Sequence, residues 1–351
     1  MRSAIRTVVA LAVVGLLVGA CGAASTPTPA PTPAAAAAPS ATPAPSATPA
    51  QTAAPTPTRA PSPTRAPSTT PPPLPSPGTD AVQAAQAVRS LLERHNAAWD
   101  TTKSVDAVLS LWADDVRFTD LLAGWRDEPR ATLESMVRTY VGYPGLGNSP
   151  HSYFVDTTGG VDSYDLWGLG DATEANPVHA VDVLETKDGL LTSWHAVYDV
   201  KSLAHITGRQ VADLAPMQTL IKAYADAWSS GEPSTVAELY AETAWRTDTL
   251  RGESAEGRQA ISDTAARSFS SYPDAVWRVD TVFGDSGVGG VMTGGIFTVR
   301  LAEPDACELG AAVVLETNEA RKIVTEQVYW EVDSLIRCGP AASVGSAAPT
   351  D

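Results

Sequence analysis

The sequence is short of cysteine, of basic residues and of long apolar runs, and each shortage removes a class of protein. Three cysteines in 351 residues form no Cys-x-x-Cys pair and no Cys/His zinc spacing, and the histidines are not clustered, so neither a metal site nor a cofactor is expected. His-Glu-x-x-His, Gly-x-Ser-x-Gly, a Walker loop and Gly-x-Gly-x-x-Gly followed by an acid are all missing, which argues against the metalloprotease, hydrolase and nucleotide-binding classes. Lys and Arg number 24 against 40 Asp and Glu, a formal net charge of −16. Such a surface repels phosphate backbones and anionic headgroups, so no nucleic-acid partner is expected. The apolar stretch from Val8 to Val18 is too short to span a bilayer.

What that stretch does provide is a signal peptide over residues 1–20, since it follows the basic start Met1-Arg2-Ser3-Ala4-Ile5-Arg6. It ends in Val18-Gly19-Ala20-Cys21, which resembles the bacterial lipobox. The resemblance implies lipidation of Cys21 and anchoring at the extracytoplasmic face of the cell membrane, with the membrane met through the lipid. An ordinary secretory signal with an incidental cysteine is the alternative. Residues 21–80 are almost wholly Ala, Pro, Ser and Thr and hold 18 of the 28 prolines, a composition that cannot bury a core. At about 3.1 Å per residue in polyproline II geometry, such a disordered tether reaches on the order of 180 Å. With Cys21 lipidated, Cys307 and Cys338 remain as an even pair in an oxidising compartment. A disulfide between them is worth roughly 3 to 4 kcal/mol by loop closure; two buried free thiols are the alternative.

The rest exceeds one comfortable core, and it repeats itself. Arg94-His95-Asn96-Ala97-Ala98-Trp99, Leu111-Trp112-Ala113-Asp114-Asp115, Thr119-Asp120, Gly124 and Tyr143-Pro144 are answered by Ala223-Tyr224-Ala225-Asp226-Ala227-Trp228, Leu239-Tyr240-Ala241-Glu242, Thr247-Asp248, Gly252 and Tyr272-Pro273. Two domains follow, 81–207 and 214–339, with a disordered tail at 340–351. Within each, apolar residues recur at helical spacing (Val88, Leu91, Leu92, His95 and Trp99; Leu220, Tyr224 and Trp228), and two shorter helices follow, the first of them near Val105 to Trp112 or Thr235 to Tyr240. The period then changes to strands, with Lys187-Asp188-Gly189 as a hairpin turn. Helices first and an antiparallel sheet after make each copy α+β.

A long helix ending in an aromatic, the run Leu111 to Asp120, a glycine, a third helix and closing hairpins resemble the NTF2-like superfamily, in its SnoaL-like and steroid-isomerase-like branch. The resemblance implies two tandem cone-shaped domains, each with three helices packed in a curved antiparallel sheet around a pocket. It also implies positions for an acid–base set. Asp120 and Asp248 fall where that branch carries its proton-abstracting Asp, and Tyr224 falls at its oxyanion Tyr, where the first copy has His95. The branch's protonated Asp aligns with His179 and, less directly, with Gly310, so neither copy keeps all three groups. The cone walls would be lined by His95, His179, His195, Trp194, Tyr198 and Trp330. For each of these the structural alternative is a turn cap, a satisfied histidine or a packed ring.

An incomplete catalytic set on a tether favours a surface-anchored binder of a small, partly apolar molecule, with the domains pairing within the chain as a homodimer would. An isomerase or cyclase using the Asp, Tyr and His groups, and an envelope protein-interaction module, are the alternatives, because this fold does not dictate activity.

Overall fold

The computed structural model describes residues 77–208, 210–285, 292–301 and 307–338. The signal peptide, Cys21, most of the tether and the tail lie outside the described residues. All those described belong to one compact unit, and none of their helices is long and apolar enough to cross a membrane.

The element order runs twice through one pattern. Helix α1 (Thr79–Ala97) continues into a π-helical turn and is followed by α2 (Val105–Leu109), β1 (Trp112–Asp120), β2 (Trp125–Pro129), α3 (Arg130–Tyr140) and strands β3 (Gly147–Val155), β4 (Gly159–Trp167), β5 (Val178–Lys187) and β6 (Leu190–Asp199). A short α4 (Val200–Thr207) leads into α5 (Ala215–Ser229), α6 (Pro233–Ala237), β7 (Tyr240–Asp248), β8 (Glu253–Glu256), α7 (Arg258–Ser271), β9 (Val276–Gly284), β10 (Met292–Leu301), β11 (Cys307–Thr317), β12 (Ile323–Trp330) and α8 (Val332–Cys338). The fold is α+β with a large mixed sheet. The β5–β6 hairpin turns on Asp188 and Gly189, both at positive φ (54° and 78°), the conformation that an Asp-Gly pair adopts with least strain. Cys307 and Cys338 are joined as a disulfide, with their Cα atoms 5.8 Å apart.

The second helix, expected to reach Trp112, ends at Leu109, and Trp112–Asp120 is a strand. Its burial alternates at Val116, Phe118 and Asp120, and it pairs parallel to β6. Strand β7 does the same against β12.

Two four-stranded antiparallel sheets, β3–β6 and β9–β12, are clasped at two corners. Tyr198 and Asp199 of β6 pair with Gly284 and Phe283 of β9, and Trp330 of β12 pairs with Val155 of β3. The last strand of each half thus meets the first long strand of the other, the pattern of a two-fold axis. Side-chain alternation decides what lies on each face. Helices cover the outer faces, while Phe154, Val161, Val181, Val183 and Val197 meet Phe283, Ile296, Ala312, Val314 and Tyr329 between the sheets. Arg89 also pairs with Asp333 at 2.5 Å across the halves, and Thr157 bonds Thr249 at 3.2 Å.

Because Phe283 is fully buried in that shared layer, Phe283→Ala is expected to cost about 3–5 kcal/mol. Urea unfolding should show it as one cooperative transition shifted to lower midpoint. A separate early transition of one half would contradict a common core.

Candidate functional site

In the first half, the space between α1 and its sheet is filled with rings. His95 lies 5.1 Å from Trp112 and 5.9 Å from Trp194, and Trp194 lies 4.5 Å from Phe118. The Trp99 indole N–H donates to His95 Nε2 at 3.0 Å. Burial drives the imidazole's pKa down to about 3, because a charged ring there has no solvent and no counter-ion. His95 therefore stays neutral over the physiological range. His95, expected to line a pocket, is buried among these rings.

Next to these rings lies an acidic group that no sequence motif reveals. Asp162 of β4 and Asp182 of β5 are directly opposite one another and both are buried. Asn96 Nδ2 donates to Asp162 at 2.8 Å, and the Tyr164 hydroxyl donates to Asp182 at 3.2 Å. Desolvation pushes Asp162 up to about 7, and desolvation together with the neighbouring Asp162 charge pushes Asp182 well above the carboxylate range. Two carboxylates facing one another across the ladder in a buried site disfavour joint ionisation. Asp120 ends β1 and accepts from Leu122 N, Ala123 N and the Tyr198 hydroxyl at 3.0, 3.1 and 3.1 Å. It caps a turn, as the structural alternative required; burial raises its pKa against those bonds.

The same four positions in the second half carry a different solution. Where the first half has His95, Trp112, Phe118 and Trp194, the second has Tyr224, Tyr240, Arg246 and Glu326. The Tyr224 hydroxyl donates to Glu326 Oε1 at 2.6 Å, the Tyr240 hydroxyl donates to Oε2, and the Arg246 guanidinium stands 3.2 Å from Oε1 while covering the Trp228 ring. Burial works against the Arg246 charge, but Glu326 outweighs it and holds the guanidinium above its ordinary pKa. Tyr224 is thus turned to Glu326, not to Asp248. Asp248 accepts from Trp330 Nε1 at 3.0 Å and from Arg251 N at 3.2 Å, and the Arg251 guanidinium lies over the Trp330 ring. Tyr224 and Asp248 do not share a hydrogen bond, and Asp248 is engaged as a turn cap.

No protein-family model matches the sequence, and no curated protein matches it either. Solved structures of the ketosteroid isomerase-like kind resemble it. One from Catenulispora acidiphila, solved with trimethylamine, is 20% identical over 33% of this chain and 88% of its own, at a TM-score of 0.29. A SnoaL-like family protein from Agrobacterium tumefaciens is 18% identical over 33% of this chain and 97% of its own, at a TM-score of 0.28. A SnoaL-like protein from Shewanella putrefaciens is 12% identical over 34% and 82%, at a TM-score of 0.30.

Two expected wall residues face away from these filled interiors. His179 and His195 fall two residues from Val181 and Val197, in step with Val183, which puts them on the inter-sheet face, opposite Asp182 and Trp194. The His195 Nε2 lies 2.9 Å from Asp285 Oδ1 of the second half, so it joins the halves and does not line a cone. Open space is found on this inter-sheet side. A cleft of about 560 Å³ is bounded by Asp165, His179, Lys201 and His205 of the first half and Gln218 and Thr281 of the second. A smaller one of about 330 Å³ lies beside it, between His151 and Phe154 on one wall and Asp280, Thr298 and Glu331 on the other. Of the residues expected to line a pocket, His179 borders both.

Since Asp162 binds its proton more tightly folded than unfolded, its contribution to stability is full below about pH 4 and is lost as pH rises to about 7, at up to about 1.4 kcal/mol per pH unit. Urea midpoints compared at pH 5 and 7.5 should therefore show this fall in the native protein, flattened in Asp162→Asn. In the second half, Glu326→Gln strands the Arg246 charge and should cost about 3–5 kcal/mol. Replacing both Arg246 and Glu326 by leucine should cost less than the single change; a larger loss would mean that the ion pair itself drives folding.

Proposed function

We propose that this chain is a tethered, non-catalytic binding protein made of two fused NTF2-like copies, and that its ligand site is the cleft between the copies. The observation that carries the reading is the filling of both cone interiors by four matched side chains each, while the open volume lies between the sheets. A cleft of about 560 Å³ is of the size that holds a small organic molecule. Its lining of Asp165, His179, Lys201, His205, Gln218 and Thr281 beside Val200, Val279 and Val282 suits a molecule with both polar and apolar parts. Pairing of the two copies by their clasped sheets is what creates this cleft. The signal peptide and Cys21 support display of the module on the outer face of the membrane through a lipid, and the acidic balance speaks against nucleic acid as partner.

A second reading is supported by one feature. The buried Asp162–Asp182 pair with Tyr164, and Asp120 with Tyr198, are carboxyl groups whose pKa burial raises beside hydroxyls. A carboxylic acid kept neutral by an apolar site can donate a hydrogen bond to a developing oxyanion, the combination that steroid isomerases use for proton transfer next to a carbonyl. On that reading the first copy is an isomerase or cyclase whose interior opens to admit substrate.

Native mass spectrometry of the full chain purified from a bacterial envelope separates the two. A retained small molecule that is lost in Thr281→Trp, which fills the cleft, and kept in Asp182→Asn is the expected result. Retention in Thr281→Trp with loss in Asp182→Asn would move the site into the first cone and overturn the cleft.

A further inference from the structure

At the junction of the two clefts, three neighbouring strands bring two histidines and an aspartate to one point. Asp165 of β4 and His179 of β5 are direct partners across the ladder, so their side chains leave the same face of the sheet. His151 of β3 joins them through a register irregularity between Pro150 and Ser152; an extra residue at such a place re-aims a side chain that regular pairing would have pointed elsewhere. The result is His151 Nε2 at 3.1 Å from Asp165 Oδ2 and His179 Nδ1 at 2.9 Å from Asp165 Oδ1, with one ligand atom from each residue within 4.8 Å of the others. Burial pushes the Asp165 carboxyl up, but the two imidazoles outweigh it and hold it below its ordinary value.

We propose that His151, Asp165 and His179 bind a divalent ion of the zinc class, with the fourth coordination position open to the cleft. Zinc held at about 2.0–2.2 Å by tetrahedral nitrogen and oxygen ligands sets those ligands about 3.4 Å apart. The observed spacings need only small side-chain rotations to reach that. Two imidazoles and one carboxylate suit zinc better than calcium or magnesium, which prefer oxygen sets. No Lys or Arg is paired with Asp165 among the described residues, so no protein cation occupies the place of the ion. Access is open, His151 being 43% exposed and the other two side chains about a quarter. Across the smaller cleft stand Glu331 and Asp280, the latter paired with Arg278 at 3.0 Å. The ladder pair Thr298–Gly310 of the second half holds the positions that Asp165 and His179 hold in the first, so the ligand set exists in one half alone.

The ion is one occupant of the proposed cleft and in that respect rests on the cleft reading. Zinc(II) is titrated into the metal-stripped full chain by equilibrium dialysis, with cobalt(II) absorption as the report on coordination. One ion per chain is expected, with a tetrahedral cobalt spectrum, at least about tenfold weaker binding in His151→Ala and His179→Ala, and unchanged binding in Asp114→Ala, whose exposed carboxylate borders neither cleft. Because His151 is exposed, its truncation leaves the core intact, which far-UV circular dichroism verifies. Zinc should also raise the melting temperature of the native chain and not of His151→Ala. No uptake, or equal uptake by all three variants, overturns the site. An organic ligand retained in native mass spectra of a chain that takes no zinc would remove the ion and leave the cleft; zinc uptake by a chain that retains no organic molecule would do the reverse.

Discussion

Everything in this molecule depends on the inner faces of two four-stranded sheets being hidden from water. Each half turns one face toward its helices and is left with a second, set by side-chain alternation and carrying Phe154, Val161, Val181, Val183 and Val197 or Phe283, Ile296, Ala312, Val314 and Tyr329. Neither face can be solvated without losing on the order of 25 cal/mol for each Å² of apolar surface. Each sheet is therefore the other's cover, and the corner pairings of β6 with β9 and β12 with β3 keep them in register. The clefts lie toward the ends of the strands, where the face carries polar His151, Asp165 and His179.

The two interiors show how one backbone accepts opposite chemistry. A cluster of His95, Trp112, Phe118 and Trp194 fills space through ring contacts. Tyr224, Tyr240, Arg246 and Glu326 fill the matching space with a buried charge pair whose carboxylate accepts from two hydroxyls. Neither is fully satisfied: His95 Nδ1 and Trp112 Nε1 in the first cluster and Arg246 Nη1 in the second are buried without a hydrogen-bond partner among the described residues. The acid pair is likewise one-sided: Asp162 faces Asp182 in the first half, whereas Gly295 faces Val313 at the corresponding rung of the second. A shared fold thus constrains volume and pairing, and leaves polarity free.

Much of the architecture is legible in the residues. Helical spacing from Val88 to Trp99 locates α1, alternation with an Asp-Gly turn locates β5 and β6, and cysteine parity locates the disulfide. The helix-to-strand change at Trp112 is hidden because acidic Asp114 and Asp115 break the apolar alternation of the strand. Alignment puts His179 in the cone wall, yet its sheet face is the opposite one; an odd step of three residues from Asp182 is enough to reverse direction. No motif singles out Arg246 and Glu326, although each occupies an inward position, Arg246 between buried Ala244 and Asp248 on β7 and Glu326 in line with buried Val328 and Trp330 on β12. A charge at a core position of a strand is the signal they offer. The His151, Asp165 and His179 cluster matches no short ligand motif, since its three residues meet only through the ladder and the irregularity in β3.

The pairing of Trp330 with Val155 also sets a schedule for synthesis. The first half can form its helices and hairpins from local contacts as soon as it emerges into the compartment where it folds. Its inner face, however, has no cover until the chain has been made nearly to its end, because the covering strands lie beyond residue 275. Contacts this distant in sequence form slowly, and at about 5–20 residues per second the uncovered sheet persists for seconds. During that interval the nascent chain offers a ready-made docking surface to any other copy in the same state, so the step most exposed to aggregation is the wait for the second half.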